Sequence, residues 1–117
     1  MGLFSKSAYE LNAEGLNSLG RGDFEQAVIL FDKACRKEPS LGVFWFNLGY
    51  AQVKRGDLQR AAAAFERSVS LGGETASQAA DWLNAIYNPP EPTFDWGNAL
   101  GNAGQIVVGL ARIFGGG

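Results

Sequence analysis

Two Arg-Gly-Asp tripeptides, at residues 21–23 and 55–57, are the first feature of this chain whose residue types could do chemistry. Exposed in a loop, such a tripeptide is an adhesion signal for an integrin. Between two helices, the same three residues have structural tasks. Nucleophilic and metal chemistry have little to work with. The chain has no histidine and a single cysteine, Cys35. That removes Ser-His and Cys-His pairs, zinc sites built on His or several Cys, and any internal disulfide. No pair of carboxylates stands at catalytic spacing; Glu10 and Glu14, four residues apart, read as a solvated helix face. The glycine-rich "GNALGNAG" at 97–104 lacks the preceding strand and the lysine of a phosphate loop. No catalytic residue, metal ligand or cofactor is assigned, and an enzyme is not expected.

The elements that hold these residues belong to one domain, since 117 residues suffice for a modest core and not for two. Apolar residues at 46% and charged residues at 19% describe a folded, soluble chain rather than a disordered one. A net charge of −2 lacks the basic stripe of a nucleic-acid binder. The lone cysteine suits a reducing compartment, and a cytoplasmic location is expected. The N-terminal "MGLFSKSAYE" has no long apolar run, and Lys6 stands where a myristoylation signal needs Ser or Thr. The apolar stretch 106–111 is far short of a membrane span.

The spacing of the tripeptides decides between their two readings. Gly15 and Gly49, Gly22 and Gly56, Asp23 and Asp57, Ala27 and Ala61, and Phe31 and Phe65 are all 34 residues apart. A fixed period of this size signals a helical repeat array. Each period reads helix, turn, helix: Leu11, Leu16 and Leu19, then Trp45, Leu48 and Val53, recur at helical spacing before the turn. Phe24, Ala27, Val28, Phe31 and Ala34 do so after it, matched by Leu58, Ala61, Ala62, Phe65 and Ser68. Arg21 and Arg55 then suit the negative end of a helix dipole. Gly22 and Gly56 can take the left-handed conformation that ends it. Asp23 and Asp57 can cap the helix that follows, with Gln26 completing a capping-box-like pair with Asp23. The tripeptide is read as a turn.

These residues resemble the tetratricopeptide repeat. Trp45, Leu48, Gly49, Gly56, Leu58, Ala61 and Phe65 match its pattern, and the first copy keeps Gly15, Gly22, Phe24, Ala27, Phe31, Ala34 and Pro39, with Leu11 in place of the Trp. The resemblance covers about residues 8–75. It implies an all-α fold of two repeats, 8–41 and 42–75, as a fragment of a right-handed α-solenoid within a module spanning 7–88. A third copy starts and stops: Thr75 and Gln78 open a capping helix over 75–88 with an apolar stripe of Ala79, Trp82, Leu83 and Ile86. Prolines 89, 90 and 92 then break it and form an elbow at 89–92.

The glycine-rich tail, 93–117, carries only Asp95 and Arg112 as charges. It holds Phe94, Trp96, Leu100, Ile106, Val107, Val108, Leu110, Ile113 and Phe114, apolar surface that is costly to leave in water. The tail is expected to dock on its own module, on a neighbouring copy to give a homo-oligomer, or, as an alternative, on a membrane surface.

The resemblance also implies a concave groove lined by the first helix of each pair. Its positions fall on Tyr9, Asn12, Leu16 and Leu19; on Phe46, Asn47, Tyr50, Val53 and Lys54; and on Ala80, Asn84 and Tyr87. In "FWF" at 44–46, Trp45 takes the family's core position, Phe44 packs on the preceding helix and Phe46 faces the groove. A carboxylate clamp is not expected, because Asn12 replaces its first Lys and Ser77 and Asp81 replace its basic pair. The implied function is a protein-interaction adaptor, scaffold or assembly factor that holds an apolar peptide. Cys35 reads as a buried, inert thiol matched by Val69. Ile29 and Ala63 stand where the family is polar, so that Ile29 is either part of a second contact patch or an isolated exposed residue.

Overall fold

The structure, a computed structural model, describes residues 5–89. It is all-helical, with no strand among the described residues. Five helices follow one another: α1 (Ala8–Gly20), α2 (Phe24–Lys37), α3 (Gly42–Arg55), α4 (Leu58–Leu71) and α5 (Ala76–Tyr87). Each packs chiefly on its neighbours in chain order.

The two close pairs, α1 with α2 and α3 with α4, are built alike. A β-carbon added at Gly15 would lie 2.6 Å from the ring of Phe31, and one at Gly49 would lie 2.7 Å from the ring of Phe65. Glycine at these positions lets a fully buried phenylalanine press against the backbone of the facing helix. The turns repeat in their backbone bonds and caps. Gly22 and Gly56 have φ of 81° and 92°, the left-handed region. The amides of Asp23 and Asp57 donate to the carbonyls of Ser18 and Gln52, both at 2.9 Å, and their side chains accept from the amides of Gln26 and Arg60. Arg21 reaches the Ser18 hydroxyl and Arg55 the Gln52 amide oxygen, each at 3.3 Å. Arg55 also pairs with Glu25 of α2 at 3.0 Å. Both tripeptides are turns whose side chains serve the chain itself.

The helix starts depart from the sequence reading. At Asp23 half of a capping box forms, because the Asp23 amide is engaged by Ser18. The full box is at Ser7 and Glu10, which bond each other's backbone amides at the start of α1. Thr75 does not cap α5 with its side chain; its hydroxyl turns inward to meet Ser68 Oγ at 3.3 Å. The Ser68 hydroxyl also donates to the Gly42 carbonyl at 3.0 Å, so the end of α4 holds the beginning of α3.

Two apolar clusters result. One draws on α1, α2 and α3, with additional packing from α4; the other joins α3, α4 and α5, and Leu19 packs against both. In the second, Trp82 stacks on Phe65 with ring centroids 5.6 Å apart, and Tyr50 meets Trp82 edge-on at 6.1 Å. Ala79, Trp82 and Ala85 are the buried face of α5, with Leu83 and Ile86 partly covered beside them. The assignment within 44–46 is corrected. Phe44, not Trp45, is the deeply buried ring, and it meets Tyr9 of α1 at 5.5 Å. Trp45 is half-buried because its indole N–H donates to the Pro39 carbonyl at 3.0 Å, which keeps that edge near the surface, with the Arg67 guanidinium over its ring.

Candidate functional site

The positions assigned to a groove divide into those that form one surface and those that do not. On α1, Tyr9 and Leu16 are 65% and 46% exposed and lie two helical turns apart, with Asn12 between them. The Asn47 amide of α3 donates to Asn12 Oδ1 at 2.8 Å, bridging the two helices. Phe46, next to Asn47, is half-buried, its ring 5.6 Å from Phe65. These five residues make a continuous strip across α1 and α3.

Tyr50 and Val53 lie beneath it and are corrected to core residues. Both are buried, Tyr50 at 6% exposure, because α5 brings Trp82 against them; burial pushes the Tyr50 phenol up to about 12. Leu19 is half-buried between the clusters. Lys54 extends over the ring of Phe24 in α2, 5.1 Å from its centroid. Ala80 and Asn84 are exposed, with Asn84 accepting from the Asn88 amide at 3.2 Å. Tyr87 is held by α4: its phenol donates to Glu66 at 2.7 Å, and that bond raises its pKa. It belongs to the α4 side, not to the strip.

A second surface lies on the other side of α3. A cleft of about 690 Å³ opens between α2 and α4 and is floored by α3. Val28, Ile29, Trp45, Leu48 and Ala63 supply its apolar wall. Asp32, Lys33, Arg36 and Arg60 stand around it, with Arg36 paired to Asp32 at 2.9 Å. Ile29 and Ala63, the two apolar residues that looked out of place in the sequence, thus line the same cleft. Beside it, a notch of about 360 Å³ between α4 and α5 is bounded by Leu58, Ala62, Ala63, Ile86 and Tyr87, among others.

Cys35 is fully buried, and loss of solvation, with the Asp32 charge adding to it, pushes the thiol up to about 12. The chemistry on offer is contact with apolar side chains, hydrogen bonding through amides and, around the cleft, ion pairing. The contacts assigned to Phe94, Trp96, Leu100, Ile106, Leu110, Ile113 and Phe114 lie outside the described residues. Two features were missed in the sequence. The Ser7–Glu10 box was legible, since Ser and Glu stand three residues apart just before an apolar run. The Asn12–Asn47 bond was not, because its partners stand 35 residues apart, one more than the period. No family model matches the chain, and neither does any curated protein or solved structure.

Proposed function

We propose that this chain is an interaction module of the tetratricopeptide type, an adaptor or assembly factor that binds an apolar peptide of a protein partner. In this reading, repeats 8–41 and 42–75 and the capping helix 75–88 form a short right-handed solenoid whose α1–α3 face is the recognition surface. The role is binding, not catalysis, in a cytoplasmic setting.

The observation that carries the reading is the Asn12–Asn47 bridge between two exposed apolar residues. Asn47 spends one donor on the Asn12 oxygen. Asn12 then retains its amide donors and Asn47 its carbonyl acceptor, one of each kind that a peptide unit requires. Tyr9 and Leu16 flank the pair and would receive alternate apolar side chains of an extended segment.

The test is selection of peptides from a random library on the full chain. Apolar peptides should emerge whose binding is lost in Leu16→Asp and weakened at least tenfold in Tyr9→Ala, with helicity retained, because both side chains are exposed. Tyr50→Ala is unsuited to this purpose, since it would report on the core. Selected peptides that bind Leu16→Asp as well as the parent would overturn the assignment.

A further inference from the structure

We propose that the segment Phe94-Asp95-Trp96 of this same chain docks into the cleft between α2 and α4, reaching it across the outer face of α4. The starting observation is where the chain leaves α5. The Tyr87–Glu66 bond, 2.7 Å, pins the last residue of α5 to the second half of α4. There Ile86 and Tyr87 bound the notch together with Ala62 and Ala63. Ala63 also lines the α2–α4 cleft, so the two depressions meet over a residue no taller than a methyl group.

Length selects between them. Prolines 89, 90 and 92 favour an extended backbone of about 3.1 Å per residue, so that the five steps from Pro89 to Phe94 span roughly 15 Å. A helix with its side chains is about 10–12 Å across. The first aromatic of the tail therefore overshoots the notch, which begins at Tyr87, and arrives beyond α4 at the cleft.

The chemistry agrees. The apolar lining of Val28, Ile29, Trp45 and Leu48 suits an aromatic ring. Around it stand three cations, Lys33, Arg36 and Arg60; Arg36 pairs with Asp32 at 2.9 Å and Arg60 with Asp57 at 3.6 Å, which leaves the rim one positive charge in excess. Asp95 is the one acidic residue after Glu91, and Phe94 and Trp96 flank it. An aromatic–carboxylate–aromatic segment thus complements an apolar lining with a basic rim. The cleft and the Asn12–Asn47 strip use opposite sides of α3, so the two assignments stand or fall separately.

The test uses the full chain labelled with 5-fluorotryptophan, which gives signals for Trp45, Trp82 and Trp96. Loss of one signal in Trp96→Phe identifies it. The Trp96 signal should show a solvent isotope shift between H2O and D2O well below that of free fluorotryptophan, independent of protein concentration. Ile29→Glu and Ala63→Glu, both at exposed positions, should each restore the free value with helicity unchanged. Leu16→Asp should leave it alone. A Trp96 signal at the free value in the parent chain overturns the proposal. So does protection insensitive to both cleft substitutions, which would place the segment elsewhere, and so does protection that grows with concentration, which would make a second copy the occupant.

Discussion

The helical pairs α1–α2 and α3–α4 close their turns with the same bonds and bury the same phenylalanine against the same glycine, yet they differ in what they leave open. Leu16 and Tyr50 hold equivalent places one period apart. Leu16 is 46% exposed, whereas Tyr50 is at 6% because Trp82 of α5 covers it. Cys35 and Val69 are equivalent as well; the first is sealed in the α1–α2–α3 cluster and the second is 37% exposed. A repeated sequence equalises bonds made within a pair. What lies outside the pair sets burial, and α3 has helical neighbours on both sides where α1 has few. The unequal partners, not the repeats themselves, create the α1–α3 strip.

The sharpest way to break this comparison is to remove the cover. Trp82→Ala should cost about 3–5 kcal/mol in urea unfolding, the range for deleting a buried large aromatic. Hydrogen-exchange protection should fall in α4 and α5 before α1 and α2; an even loss along the chain would mean that the pairs share one fate. Equivalent positions should also respond unequally. Tyr50→Ala should lose about 3 kcal/mol, whereas Leu16→Ala should stay within about 0.5 kcal/mol.

The shared features should respond equally. Gly15→Ala and Gly49→Ala each place a methyl group inside contact distance of a buried ring, and each should cost about 1–3 kcal/mol by the same urea measurement. A large inequality would show that one pair yields where the other does not. Gly22→Ala and Gly56→Ala meet open space, so that only the left-handed backbone opposes them, at about 1–2 kcal/mol.

The smallest effect separates the starts of the two pairs. Hydrogen bonding from the Ser7 backbone amide, and then from its hydroxyl, holds the Glu10 carboxyl below its usual 4.5. A carboxyl lowered on folding contributes stability that is present above its unfolded pKa and is lost as pH falls through the folded one. The melting temperature of the parent should therefore drop slightly more below pH 4.5 than that of Glu10→Gln. α3 lacks such a cap, the Leu41 side chain having no acceptor to offer, and should show no counterpart.

Features made within a few residues were legible in the sequence. Gly22 and Gly56 announce left-handed turns, Asp23 and Asp57 announce the caps that follow, and the helical spacing of apolar residues announces the helices, because backbone sterics and local hydrogen bonds depend on near neighbours alone. The recurrence of Gly15, Phe31, Gly49 and Phe65 at one period was legible too, whereas the facing of each glycine by a phenylalanine came from the packing of each pair. Tertiary structure decided the rest. Whether Phe44 or Trp45 took the deepest place depended on Pro39 accepting the indole N–H. Thr75 turned from capping to Ser68 because a buried hydroxyl was there to meet it. Tyr50 left the candidate surface, and Ile29 and Ala63 came to share a cleft, through the placement of neighbouring helices. Burial is a property of what surrounds a side chain, and those surroundings come from segments that no local pattern in the sequence places.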